Sequence, residues 1–266
     1  MKEILVQTTT KLTDCLYNGC NFSYNFVKKL LRNKDIKVNG VRVKEDCLLN
    51  PGDKVVVYVN DIQYKVLYED ENVVAFYKPK GVLSQGENSL ESAVNAEGKL
   101  FLMHRLDRGT DGILLFAKNQ TAYDELYSAF KNRYLKKYYS ALVWGKPTPE
   151  SGIITSYLLK DDKAGYVRAS LSDNGGEKAL TKYKIVKQNG ELFELEIELL
   201  TGKTHQIRAS LPLVGAYIVG DEKYGKTEIN DRYKKHKQQL TFFKVEFCLP
   251  KGSKLEYLND TVILLN

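Results

Sequence analysis

The strongest constraint on this chain is a pair of asparagine–glycine steps, each set among residues that alternate apolar and polar. The first lies in Ile36-Lys37-Val38-Asn39-Gly40-Val41-Arg42-Val43. The second, Asn189-Gly190, joins a run holding Thr181, Tyr183 and Ile185 to one holding Phe193, Leu195, Ile197 and Leu199, with Glu194, Glu196 and Glu198 facing outward. Alternation with period two puts one strand face in a core and the other in water, and Asn-Gly accepts the positive φ angles of a tight hairpin. Hairpins mean antiparallel pairing. The expected class is α+β, a mixed and mostly antiparallel sheet flanked by helices, rather than a doubly wound parallel sheet.

The first hairpin belongs to a small N-terminal α/β unit expected over residues 1–60. Leu12, Cys15 and Leu16 share one helical face, and Gly19 can end that helix. Ser23 is a candidate N-cap for a second helix that buries Val27, Leu30 and Leu31 and carries Lys28, Lys29 and Arg32 on its other side. After the hairpin, Pro51-Gly52-Asp53 turns the chain into a strand with Val55, Val57 and Val59. Taken alone, Lys28, Lys29 and Arg32 read equally well as a solvated helix face. Residues 1–60, however, carry ten Lys and Arg against six Asp and Glu. The order of elements resembles the alpha-L RNA-binding module first seen in a small-subunit ribosomal protein. That resemblance implies that the basic helix and the following turn lie on RNA phosphates, contacts that position a partner without reading its sequence.

Composition excludes several classes. A 43% hydrophobic content supports a proper core and rules out disorder as the main state. The longest apolar runs, such as Ile113-Leu114-Leu115-Phe116-Ala117, fall far short of the ~20 residues of a membrane-spanning helix. Residues 1–11 hold no apolar stretch like a signal peptide, so a cytoplasmic protein is expected. Cys15, Cys20, Cys47 and Cys248 form no Cys-x-x-Cys pair and read as free thiols, with no disulfide framework and no zinc site expected. His104, His205 and His236 are too few for a His-rich metal centre. The formal charge of +7 suits an anionic partner, most simply nucleic acid.

Residues 64–266 read as one domain. Short strands are expected at 64–67 and 73–77, a buried strand at 113–117, and a strand through Tyr139, Ala141 and Val143. A helix is expected over 121–133, with Thr121 to Asp124 as its capping box. Gly220-Asp221-Glu222-Lys223-Tyr224-Gly225-Lys226-Thr227 matches the P-loop pattern letter for letter. It is rejected because acidic side chains oppose a phosphate cradle and too little chain follows for a nucleotide-binding sheet. Asp107 to Gly112 is a poor calcium loop, with glycine at 109 and Lys118 in place of the bidentate glutamate.

What remains is His104-Arg105-Leu106-Asp107-Arg108-Gly109-Thr110-Asp111-Gly112, a dense polar segment directly before a buried strand. On spacing alone it reads as a surface loop with an ordinary ion pair. His104-Arg105-Leu106-Asp107, with Thr110-x-Gly112 and Ala117-Lys118 behind it, resembles the motif of the RluA family of RNA pseudouridine synthases. Four further segments resemble that family in its order: Lys78-Pro79-x-Gly81; Lys137-x-Tyr139-x-Ala141-x-Val143-x-Gly145; Gly202-Lys203-Thr204-His205-Gln206-Ile207-Arg208; and Gly220-Asp221-x-x-Tyr224-Gly225.

The resemblance implies a pseudouridine synthase fold and an isomerase acting on uridines in structured RNA. Ribosomal RNA of the large subunit is the first candidate and transfer RNA the second. It implies no metal, no nucleotide and no other cofactor, and a monomer is expected. Asp107 would be the catalytic carboxylate, Tyr139 would lie against the target uracil and help remove its ring proton, and Arg208 would pair with Asp107. Arg105 and Arg108 would hold phosphates of the flipped nucleotide, with a loop-bracing role preferred for Arg105. The run from Lys223 to Lys237 is a candidate phosphate surface, with a solvated helix preferred. His104 and His205 are expected to pack and hydrogen-bond rather than move protons. The chain departs from the family at Gly109, often acidic there, and at Asp111, usually Ser or Thr; Asp111 is expected to point away and cap backbone N–H groups. Leu240-Thr241-Phe242 replaces the family's Leu-His-Ala. The rival reading is an RNA-binding protein that keeps the fold without catalysis; a P-loop NTPase is a distant third.

Overall fold

The computed structural model of the chain describes residues 2–20, 22, 24–58, 62, 64–95, 98–161, 165–173 and 175–265. Ser23 and Val59, expected as a cap and as a strand residue, lie outside them. The chain divides into two compact units, Met1–Gln63 with Gln85–Ala96, and Tyr64–Ser84 with Glu97–Asn266.

In the first unit, Lys2–Leu5, Lys54–Val57, Ile36–Val38 and Val41–Val43 form an antiparallel sheet in that order. Asn39 and Gly40 both take positive φ, 49° and 83°, which matches the twist of the hairpin they close. Helices Leu12–Cys20 and Tyr24–Arg32 bury Leu12, Leu16, Val27, Leu30 and Leu31 in one core with Ile36, Val55 and Val57. The first helix runs through Gly19 rather than stopping there. Lys28, Lys29 and Arg32 are exposed.

The second unit is built on one large sheet. Its strand order is Tyr166–Ser170, Ser151–Asp161, Glu177–Asn189, Leu192–Leu199, Leu135–Trp144, Leu240–Phe247, Asp111–Ala117, Val73–Lys78 and Lys65–Glu69. Among the described residues one pairing is parallel, Asp111–Ala117 with Leu240–Phe247, so the sheet is mixed and mostly antiparallel. Every residue of Asp111–Ala117 is buried.

The second hairpin turns one residue later than expected. Asn189 still pairs with Leu192, and Gly190 at φ 60° takes the first of the two turn positions, where a type II′ turn puts glycine. A bulge after Ile185 then skips Val186, so that Lys187, Lys184 and Lys182 face Glu194, Glu196 and Glu198 across the strands.

Helix Gln120–Lys131 buries Ala122, Leu126 and Ala129. Its N-cap is Asn119, whose side chain accepts the Ala122 N–H at 2.9 Å, so the expected Thr121–Asp124 box is displaced. Asn119 also donates to Asn72 at 3.0 Å, an anchor that Thr121, two residues later, cannot provide.

Candidate active site

The Asp107 segment enters the centre of the sheet at the start of Asp111–Ala117. Ser84 fixes its approach. Its buried Oγ accepts the Leu106 N–H at 2.8 Å and donates to the Leu106 carbonyl at 2.9 Å. The Thr110 N–H then closes a turn on the Asp107 carbonyl at 3.1 Å. Gly112 follows at φ 124°, and a Cβ there would lie 2.1 Å from the Phe242 carbonyl oxygen. Only glycine lets the two central strands approach this closely. At Gly109 a Cβ would meet Gln238 Oε1 at 2.9 Å, and Gln238 itself donates to Thr110 at 2.7 Å. Gln238 occupies the room an acidic side chain at 109 needs.

Arg208 comes from the short buried helix Gln206–Ser210. Gln206 locks that helix in place, accepting from Thr201 and the Lys203 N–H and donating to Leu180 and Thr181. From there the Arg208 guanidinium bridges two carboxylates. Nε and Nη2 grip Asp221 at 2.7 and 3.0 Å, while Nη1 donates to Asp107 Oδ2 at 2.8 Å. Burial disfavours the guanidinium charge, but Asp221 and Asp107 outweigh it and hold its pKa above the usual arginine value. Asp221 also accepts the Lys223 and Tyr224 N–H groups at 2.9 and 3.1 Å. The amides that a P-loop would turn to phosphate are thus used by a carboxylate of the same segment. Asp221 and Tyr224 are the residues sequence reasoning passed over. Their signal was present in Gly220-Asp221-x-x-Tyr224-Gly225, which resembles a family segment but in which neither residue was given a role.

Tyr139 reaches the site through a bulge. In the pairing of Leu135–Trp144 with Leu240–Phe247, Tyr138 opposes Lys244 and Tyr139 opposes Phe242, which skips Phe243. The two rings therefore stack, centroids 4.7 Å apart and planes within 16°. Phe242 takes one face of Tyr139, so a base can meet only the other face or the edge. Burial first, and the Asp107 charge second, push the phenol well above the usual tyrosine range. Tyr139 is protonated at neutral pH, and a phenolate base is not available there.

The remaining residues sort themselves around this core. Arg108, not Arg105, is the brace. Its Nε donates to the Gly81 carbonyl at 2.9 Å, and the Gly81 N–H returns a bond to the Arg108 carbonyl at 2.7 Å. The bracing preferred for Arg105 is not seen; its side chain is exposed, with no hydrogen-bond partner among the described residues. Lys78 is fully buried and donates to the Pro79 and Val82 carbonyls at 3.1 and 2.7 Å. Burial pushes its pKa down to about 8 against the pull of Asp111 and Asp107. Among the described residues, Asp111 caps no backbone N–H. It accepts from the Tyr77 and Thr241 hydroxyls at 3.0 and 2.7 Å and lies 3.5 Å from Lys80 Nζ. The Asp111–Thr241 pair joins two of the positions at which the chain departs from the family pattern. His104 accepts the Leu115 N–H at 3.2 Å and packs edge-on against Phe242. In the Lys223–Lys237 run, Lys223 is tied to the Gly165 carbonyl and Arg232 to Glu191.

No group of three or more His, Cys, Asp or Glu among the described residues is arranged to hold a metal ion. The arrangement offers one carboxylate oxygen free of hydrogen bonds beside a buried phenol, held by an arginine that is itself held. The family model described as RNA pseudouridylate synthase matches residues 72–212, a span that holds Asp107, Tyr139 and Arg208. The chain belongs to this family. The synthase is 33% identical over 235 residues to ribosomal large subunit pseudouridine synthase C of Rickettsia felis, covering 76% of this chain and 77% of the relative. It is 32% identical to an uncharacterized RNA pseudouridine synthase of Mycoplasma genitalium, covering 88% and 84%. Its fold is that of human RNA pseudouridylate synthase domain containing 1, with a TM-score of 0.62 at 21% identity over 76% of this chain and 82% of that one. The synthase is thus an RluA-type isomerase of uridines in RNA.

Proposed function

We propose that this synthase converts uridines of large-subunit ribosomal RNA to pseudouridine, with Asp107 as the catalytic carboxylate. The observation that carries the assignment is the Arg208 bridge. It engages Asp107 through Oδ2 alone and leaves Oδ1 without a hydrogen bond among the described residues. The reaction breaks the bond between the sugar and N1 of uracil, turns the base, and joins the sugar to C5, with the C5 proton lost and N1 protonated. The Asp107 carboxylate can attack the anomeric carbon, add to the ring, or take a sugar proton to give a glycal. Tyr139 covers the detached base with its free face, and its hydroxyl, which keeps its proton at neutral pH, can donate a hydrogen bond to the base. Holding base and sugar together makes the rejoining step effectively intramolecular, where orientation contributes up to ~7–11 kcal/mol.

Ribosomal RNA is proposed from the names of the Rickettsia relatives, ribosomal large subunit pseudouridine synthases that cover three quarters of this chain. The cytoplasm follows as the proposed compartment. The monomer expected from the sequence is kept, since Asp107, Tyr139 and Arg208 all come from one chain. Residues 1–60 are proposed as an alpha-L type anchor, its phosphate contacts made by Lys28, Lys29 and Arg32. Lys28, Leu31, Arg32 and Lys44 line a shallow depression there, which supports that reading. Arg105 and Arg108 flank the carboxylate, with Arg105 free to meet the RNA backbone. A binding protein without catalysis is disfavoured because the carboxylate, the tyrosine and the arginine are all in place.

The test is Asp107→Asn in the full chain, assayed for pseudouridine in a large-subunit ribosomal RNA transcript. The amide keeps the shape without the charge. Turnover is expected to fall by roughly a thousandfold or more, with RNA affinity nearly unchanged. A normal rate in that variant refutes the assignment of Asp107.

A further inference from the structure

His205 has no part in the scheme above, yet its ring lies between the catalytic carboxylate and a buried tyrosine. Nε2 is 3.9 Å from Asp107 Oδ1, the oxygen that Arg208 leaves free, and Nδ1 is 2.9 Å from the Tyr224 hydroxyl oxygen. The backbone at His205 is left-handed, φ 53°, a conformation that costs a residue with a side chain on the order of 1 kcal/mol. Tyr224 is fixed in turn. It stacks on Tyr166 with centroids 4.6 Å apart, and the Arg208 guanidinium sits 5.0 Å from its ring centre.

The hydrogens around Tyr224 determine which nitrogen of His205 is protonated. The Val167 N–H donates to the Tyr224 oxygen at 2.8 Å. Among the described residues that oxygen has one other partner, His205 Nδ1. The hydroxyl hydrogen therefore has a single acceptor. If Nδ1 carried a proton, a buried O–H would be left without a partner, which is costly. Nδ1 accepts, so the ring hydrogen is on Nε2, facing Asp107. The charged and titratable groups around the ring are Asp107 and Asp221 on one side of the balance, Arg208 and Lys223 on the other, with Tyr224 at Nδ1. Burial is the largest influence and holds His205 below its ordinary pKa, so the ring is neutral at neutral pH.

We propose that His205 is a positioning residue of the synthase, held by Tyr224 as the Nε2–H tautomer so that it closes on Asp107 Oδ1 when a nucleotide binds. This rests on Asp107 being the catalytic carboxylate. Arg208 holds that carboxylate by one oxygen, which leaves its plane free to turn; a donor on the second oxygen fixes the plane. At 3.9 Å the contact is open, and catalytic hydrogen bonds commonly tighten only in the substrate complex.

Two substitutions in the full chain separate this role from simple packing. His205→Asn suits the left-handed backbone, but its amide ends near the place of Nδ1. His205→Gln carries an amide N–H to the place of Nε2. The Asn variant is expected to lower the single-turnover rate at saturating RNA by roughly ten- to a hundredfold while RNA affinity stays within about twofold. The Gln variant is expected to recover most of that loss. A wild-type rate in the Asn variant, or equal losses in both, overturns the proposal. Long-range proton–nitrogen spectra of the wild-type protein at neutral pH are expected to show His205 protonated at Nε2, and Tyr224→Phe to lose that preference. An Nδ1–H tautomer in the wild type overturns the proposal whatever the rates, and even where a substitution lowers stability. Because the spectra need no turnover, a failure of Asp107→Asn to abolish activity is distinguishable from a failure here.

Discussion

At position 208 a single guanidinium serves two carboxylates of unequal standing. Asp221 is fully buried and takes two of its nitrogens, so it sets where the guanidinium lies; Asp107 is half-buried and takes the third. Asp221→Asn removes the charge that balances Arg208 in the interior. Breaking a buried pair in this way is expected to lower stability by about 3 kcal/mol and the single-turnover rate by at least roughly tenfold, checked by urea denaturation and by assay below the variant's melting range. His104 supplies a pH test. Burial, with Lys137 nearby, pushes its pKa down to about 3 from 6.5. Between those values the unfolded chain binds a proton that the folded chain refuses, so stability falls as pH drops through that window. At pH 4 the loss is up to about 3 kcal/mol. In His104→Gln, urea midpoints are expected to depend less on pH between 6.5 and 4. The pairing of Asp107 with Arg208 was legible because the motifs name both residues. Asp221 and Tyr224 were not, because their work depends on a turn that brings position 221 against position 208, and spacing along the chain does not record that contact.

At the scale of strands and helices, local chemistry was legible and register was not. Both hairpins, the buried strand expected at 113–117 and found at Asp111–Ala117, and the apolar stripe of Gln120–Lys131 follow from periodicity. The bulges at Val186 and Phe243 do not, since they are settled by pairing across strands. Lys2–Leu5 was missed because it lacks a clean alternation and leaves Leu5 exposed. Ser151–Asp161 and Tyr166–Ser170 were missed as well; they pair with each other, but their buried Leu158 and Val167 pack with Ala209 and Tyr224, far away in sequence. The cap of Gln120–Lys131 was misplaced by two residues, and that correction can be measured. Asn119→Ala is expected to cost about 1 kcal/mol, while Thr121→Ala is expected to be near neutral, by urea denaturation of each. Gly112→Ala is the sharper case. A Cβ 2.1 Å from the Phe242 carbonyl, at a φ that only glycine adopts readily, forces apart the two strands that carry Asp111 and the Tyr139 stacking partner. Loss of the folded catalytic unit is expected, seen as low soluble yield and an absent cooperative melt.

Over the whole molecule, charge and chemistry are distributed unevenly. The first sixty residues hold ten Lys and Arg against six Asp and Glu, a net +4 of the chain's +7, whereas Asp107 and Arg208 lie in the second unit. An enzyme that extrudes a uridine has to offset the unstacking cost, a few kcal/mol, through contacts made elsewhere on the RNA. If Lys28, Lys29 and Arg32 make such contacts, each releases counterions on binding, and affinity then depends on salt in proportion to their number. Replacing all three with alanine should therefore weaken binding to a ribosomal RNA fragment and flatten the plot of log affinity against log salt, by up to roughly 2 to 3 in slope. The same variant should keep the single-turnover rate at saturating RNA, because none of the three belongs to the unit that holds Asp107. A fall in that rate with the salt slope unchanged would mean that the basic helix serves the chemical step instead of the grip on RNA. Filter binding across a salt series, paired with rapid-quench assays at saturation, separates the two outcomes.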